Sequence, residues 1–112
     1  MSRVFITSNR MRKDSYTGAL KPIVDLRPAE QFGSLNAVFD HEMEPTNKED
    51  LIRARERLAG FDPDYDFILP NGSPLATLAT GIMLGELRSG ETVQTLMWDK
   101  MHMRYQVGVI EL

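Results

Sequence analysis

Two stretches of this chain carry side chains able to hold a small anion. The first is Asn71-Gly72-Ser73-Pro74, which closes the apolar run Phe67-Ile68-Leu69-Pro70 and opens Leu75-Ala76-Thr77-Leu78-Ala79. An extended segment that stops at proline and restarts behind Ser-Pro reads as strand, turn and helix start. The free backbone N–H groups at such a start suit phosphate or carboxylate. The side chains of Asn71 and Ser73 could add contacts, but Pro74 has no N–H and the turn holds no cation. The second stretch, Ser8-Asn9-Arg10-Met11-Arg12-Lys13, supplies that charge. If the strand before it lies parallel to Phe67–Leu69, both carboxyl ends open on one side of the sheet, where α/β proteins bind ligands. Asn9, Arg10, Arg12, Asn71, Gly72 and Ser73 then form the expected ligand-binding set. The turn matches neither the glycine-rich loop ending in Lys-Ser/Thr nor a three-glycine dinucleotide fingerprint. The competing readings are a structural crossover and a solvated basic loop.

A different chemistry attaches to Met97, Trp98, Met101, Met103 and Tyr105, which flank one short connection. Methionine and tryptophan favour adaptable contact surfaces. These five are the expected partner-binding residues, on an exposed sheet edge that would permit strand addition or a homodimer. The alternative is sheet-core packing. The remaining candidates are weaker. Asp62, Asp64 and Asp66 alternate like half a cation loop but lack its glycine and distal glutamate. His41 lies among acids, His102 lies in a connection, and there is no cysteine, so no metal site is expected. Ser73 has no histidine near it in sequence to act as a base. No catalytic residue and no cofactor are assigned.

The 112 residues fit one domain with a core that needs no disulfide staple. The formal charge of −3 is unevenly spread. Residues 1–27 carry six basic and two acidic side chains, whereas residues 28–66 carry four and ten. Such a balance does not suit a general nucleic-acid binder. The opening Met1–Ile6 lacks the apolar core of a signal peptide, and no run approaches the ~18 apolar residues of a membrane span. With no cysteine, a cytoplasmic location is expected.

The elements that must position these residues follow from pattern. Residues 3–8 read as a strand. Residues 8–34 form a long irregular connection with a turn at Thr17-Gly18, a short extended piece at Ile23–Leu26 and a helical turn at Pro28–Phe32, stopped by Gly33. Leu35–Phe39 is a strand. Thr46 and Glu49 stand in capping-box register before a helix whose Leu51, Ala54 and Leu58 face inward, ended near Gly60. Phe67–Leu69 is a central strand buried on both sides. Ser73 caps the second helix with Pro74 at its first position. Leu75, Leu78 and Ile82, with Ala79, Met83 and Leu87, are expected to form its buried face. Gly81 and Gly85 are expected to allow close approach to the sheet or first helix, or to mark a dimer seam. Thr92–Trp98 and Arg104–Leu112 form a hairpin. The expected architecture is α/β: a small, mainly parallel sheet of about five strands, two main helices and a C-terminal β-hairpin, all in one domain.

Leu69-Pro70-Asn71-Gly72-Ser73-Pro74, Leu96-Met97-Trp98-Asp99-Lys100 with Arg104-Tyr105, and Pro28-Ala29-Glu30-Gln31-Phe32-Gly33-Ser34-Leu35 together resemble a family of small uncharacterised proteins encoded by tailed bacteriophages. The likeness runs from about Val4 to Leu112. It implies an accessory factor directed at a host or replication component in the host cytoplasm, and it carries no activity. The function expected is therefore non-catalytic protein–protein binding. The alternative is a nucleotide- or phosphate-compound-binding protein, with Arg10 and Arg12 neutralising the anion and Asp25, Glu30 or Glu42 as an unresolved choice of base.

Overall fold

The computed structural model describes residues 2–112. A five-stranded sheet is built from β1 (Arg3–Ser8), β4 (Ser34–Phe39), β5 (Phe67–Leu69), β6 (Thr92–Asp99) and β7 (Arg104–Glu111) in the order β4-β1-β5-β6-β7. β1 runs parallel to both β4 and β5, β5 is parallel to β6, and only β7 is antiparallel, at an edge. The sheet expected from the strand-helix-strand order is thus the one formed.

Helices α1 (Lys48–Leu58) and α2 (Pro74–Leu87) share one face of the sheet. There Ala54 and Leu58 of α1 and Ala76, Met83 and Leu84 of α2 pack with Phe5, Val38, Ile68 and Val93. The opposite face is covered differently. Leu26 and Ala29, from the chain between β1 and β4, seal Val4, Ile6, Leu69 and Leu96. Phe32 meets Phe67 edge-on at 5.5 Å between ring centroids. β5 is consequently central and buried on both faces, which explains its unbroken apolar sequence.

Four local expectations are revised. Within the connection, β2 (Met11–Lys13) and β3 (Leu20–Pro22) pair antiparallel, where no sequence period marked a strand. Asp14 closes their turn by accepting from the Tyr16 and Thr17 N–H groups at 2.7 and 3.2 Å. Ile23–Leu26 is bent rather than extended, and the helical turn is a 3-10 turn over Arg27–Phe32. The cap of α1 is Asn47, one residue after Thr46, because its side chain reaches both the Glu49 and Asp50 N–H groups, at 3.0 and 3.1 Å.

The fourth revision concerns α2, where half of the expected face holds: Met83, Ala79 and Leu87 pack on the core, but Leu75, Leu78 and Ile82 do not. It buries Ala76, Thr80, Met83 and Leu84, and leaves Leu75, Leu78 and Ile82 about half exposed. Small residues at 76 and 80 let the helix sit close on the sheet. The Thr80 hydroxyl is satisfied by donating to the Ala76 carbonyl at 2.8 Å. Close approach does not explain Gly81 and Gly85, since a Cβ on either would meet nothing within 4 Å.

Asp62, Asp64 and Asp66 form a connector, with no cluster able to hold a metal among the described residues. Asp66 is its anchor. Its side chain is 1% exposed and accepts from the Arg3 backbone N–H at 2.9 Å, the Arg3 guanidinium at 3.0 Å and the Asp62 N–H at 2.8 Å. Arg3 also donates to the Gly60 carbonyl, tying the end of α1 to the starts of β1 and β5.

Candidate functional site

The helix-free face of the sheet is only partly covered. Beyond Leu26 and Ala29 it opens into a groove of about 700 Å³. One wall is Val24, Asp25 and Pro28 of the connection; the floor is Leu69, Pro70 and Asn71 at the end of β5 with Leu96 of β6. The other wall is Trp98, Met103 and Tyr105; Met97 borders the groove, but its side chain turns to the helix side against Gly108. The volume lies within the ~300–1,000 Å³ typical of ligand-binding clefts.

The aromatic wall is built by strand register. Trp98 and Tyr105 are direct cross-strand partners, and their rings meet edge-on at 4.9 Å between centroids. Below them the connection between β6 and β7 is held by Asp99. Its carboxylate accepts from the Met101 N–H at 3.0 Å and from the Gln106 side-chain amide at 2.7 Å, and it bonds the His102 ring at 2.6 Å. The His102 ring contact, with the backbone N–H groups of His102 and Met101, holds the Asp99 carboxyl below its ordinary range. Met103 takes a left-handed backbone (φ 50°) that turns it back toward the groove.

Asp25 is the groove's one charged lining residue. Arg27 donates to it through Nε at 2.9 Å and through its terminal nitrogen at 2.8 Å, and the Arg27 backbone N–H adds a third bond at 3.0 Å. Those bonds lower the Asp25 pKa to about 2, so the carboxylate is ionised throughout the physiological range. Burial raises the Tyr105 hydroxyl pKa, and the Asp25 charge adds to the effect.

Three of the five expected partner-binding residues, Trp98, Met103 and Tyr105, thus line one groove, and Met97 borders it. Met101 stands apart at the tip, 89% exposed. The expected ligand-binding residues are dispersed. Asn71 borders the groove, but its polar groups hold the fold. Its N–H donates to Thr7 Oγ1 at 2.9 Å, its carbonyl accepts from the same hydroxyl at 3.1 Å, and its amide donates to the Ser8 carbonyl at 2.9 Å. Gly72 (φ 73°) presses on Ser8, where a Cβ would lie 3.0 Å from the hydroxyl oxygen. Ser73 Oγ accepts from the Ala76 N–H at 3.3 Å as the cap of α2.

Arg10 and Ser73 do come together, in a recess of about 90 Å³ on the helix side that also holds Asp40, His41 and Glu44. Arg12 lies elsewhere, on the β2–β3 pair beside Tyr16 and Lys21. Asn9 borders a separate groove with Lys21 and Arg27. Arg3 stands at the opposite end of β1 from Arg10, and Lys21 is paired with Asp14 at 3.0 Å, so the N-terminal cations do not form one face.

Of the wall formed by Val24, Asp25 and Pro28, only Asp25 was named from the sequence, as one of three candidate bases; Val24 and Pro28 were not. The Asp25-x-Arg27 spacing is the one local signal there, and it reads equally as an ordinary turn pair.

A family model described as Phage Pam3 gp32-like protein matches residues 2–112. No curated protein and no solved structure matches the chain. No helix among the described residues is long and apolar enough to cross a membrane.

Proposed function

We propose a function from the premise that this chain belongs to the Phage Pam3 gp32-like protein family: it is a phage accessory protein that binds a protein partner without catalysis. The observation that carries this reading is the groove, where Trp98, Met103 and Tyr105 face Val24 and Pro28 across the ends of β5 and β6. A floor and walls that are mostly apolar, with aromatic anchors at one side, match the desolvated centre of a protein interface. Asp25 is already paired with Arg27, so the segment that fits this groove is apolar. Host or replication factors in the host cytoplasm are the proposed partners.

Trp98 is the chain's single tryptophan, so its emission reports occupation of the groove. The test is capture from lysate of phage-infected cells with wild type, Trp98→Ala, Met103→Ala and, as a control outside the groove, Met101→Ala. A protein retained by wild type and Met101→Ala, lost with the two groove variants and able to shift Trp98 emission when purified, is the expected result. Retention unaffected by Trp98→Ala overturns the reading.

The alternative, a phosphate compound bound at the start of α2, draws on the shared recess of Arg10 and Ser73. Against it stand the small volume of that recess, its carboxylates, and the structural bonds of Asn71 and Ser73. A nucleotide-induced thermal shift that Arg10→Ala removes would favour it instead.

A further inference from the structure

On the helix side of the sheet, α2 leaves a cleft of about 180 Å³ against β5, β6 and β7. Ile68, Val93 and Thr95 of the sheet meet Gly81 and Leu84 of the helix there, with Ile110 of β7 at the outer side. No charged residue lines the cleft. Thr7, Thr77 and Thr80 also reach it, but their hydroxyls are bonded within the fold. Thr7 Oγ1 meets Thr77 Oγ1 at 2.9 Å, and Thr80 donates to the Ala76 carbonyl at 2.8 Å.

Thr95 differs. Only 7% of it is exposed, and its hydroxyl bonds no group among the described residues, yet the oxygen is not sealed off. A buried hydroxyl without a partner is costly, and most such groups have one. Thr95 stands across the ladder from Gly108, which has no side chain to cover it; a Cβ there would lie 3.1 Å from Thr95 Oγ1. The backbone does not demand glycine at this position, because its φ is not left-handed. The same holds for Gly81, where a Cβ would meet nothing within 4 Å and glycine weakens the helix relative to alanine. Glycine on the helix and glycine beside Thr95 thus leave both walls bare.

We propose that this cleft binds one small uncharged aromatic molecule of the phenol type, with Thr95 Oγ1 as its polar contact. Its volume is that of a single ring, since an apolar cavity of ~150 Å³ holds benzene. Walls bared at Gly81 and Gly108 suit a flat molecule over a puckered one. With no charged residue in the lining, an ion would be desolvated without compensation. The one open hydroxyl favours a ligand that carries one hydrogen-bonding group. The cleft lies on the opposite face of the sheet from the partner groove, so its failure would leave that reading untouched.

The probe is p-cresol, titrated into the full chain and followed by NMR. Saturable shifts of the Leu84, Val93 and Ile110 methyl signals are expected, with the Trp98 indole N–H unmoved. The puckered counterpart 4-methylcyclohexanol is expected to bind more weakly. Thr95→Val is expected to lower the ratio of p-cresol to p-xylene affinity about two- to tenfold, the range of one net hydrogen bond. The same variant is expected to melt no lower than wild type, because the hydroxyl it removes has no partner. Gly81→Leu is expected to fill the cleft and abolish the shifts, also without lowering the melting temperature. An absence of saturable shifts at these methyl groups, an affinity ratio that Thr95→Val leaves unchanged, 4-methylcyclohexanol binding as tightly as p-cresol, or binding that survives Gly81→Leu would overturn the proposal.

Discussion

Gly33→Ala should be among the most damaging single-methyl changes in this protein. Gly33 ends the 3-10 turn and leads into β4 with φ 151° and ψ −179°, a region almost reserved for glycine. A Cβ there would lie 2.3 Å from the Ser2 carbonyl oxygen and 2.6 Å from its carbon. Both obstacles are backbone, so no rotamer change relieves them. The strained conformation costs ~1–3 kcal/mol. Moving the chain away opens the Arg3↔Ser34 end of the β1–β4 ladder, and losing one hydrogen bond there adds ~0.5–1.5 kcal/mol. The sum is about 2–4 kcal/mol, and at roughly 4 °C per kcal/mol for a chain of this size the melting temperature should fall by about 8–16 °C. Calorimetry measures the shift, and urea titration should show a lower midpoint at unchanged slope. Gly81→Ala is the matched control. It adds the same methyl group in open space on a helix and should stabilise by up to ~1 kcal/mol. If Gly33→Ala melts within a degree or two of wild type, the assigned register between β1 and β4 is wrong. Trp98 emission adds a functional readout, since the segment that Gly33 terminates carries one wall of the groove.

Asp66→Ala leaves the Arg3 and Asp62 N–H groups without their acceptor and the Arg3 guanidinium without its carboxylate. A loss of about 2–4 kcal/mol is expected by chemical denaturation, the lower figure applying if water reaches Arg3, whose side chain is 40% exposed. Stability should also fall in acid. Asp14, Asp25, Asp40 and Asp99 all have lowered folded-state pKa values, so their contributions are complete above the unfolded value of ~3.9 and are lost as pH falls through the folded ones. For Asp25 the window extends down to about 2. Asp25→Asn and Asp99→Asn should each flatten the melting-temperature profile in acid, and a profile identical to wild type would refute the assigned bonds.

Much of the architecture was readable because local signals agreed. Phe67–Leu69 is apolar without alternation, as a strand covered on two faces must be. Pro70 stops it, Ser73 and Pro74 start a helix, and all three act where pattern placed them. The β2–β3 pair was not readable, because three-residue strands held by the Asp14 turn leave no period. The capping site of α1 moved by one residue because Thr46 and Asn47 can both cap, and only the folded backbone shows that Asn47 does so. Of the functional residues, the Met97–Tyr105 group was legible as a cluster because a hairpin keeps sequence neighbours together in space.

By itself, then, the sequence determined the order and type of the main elements, the parallel sheet they imply, and the aromatic and methionine wall. Those follow from local backbone preferences and short-range spacing. Tertiary structure decided which face of α2 is buried. That helix is apolar nearly all round, and the small side chains of Ala76 and Thr80 let one side approach the sheet more closely than Leu75, Leu78 and Ile82 allow on the other. It also decided what faces the aromatic wall. Val24, Asp25 and Pro28 are some seventy residues from Trp98 in the chain, and only their packing over β1 and β5 turns two unrelated segments into one groove.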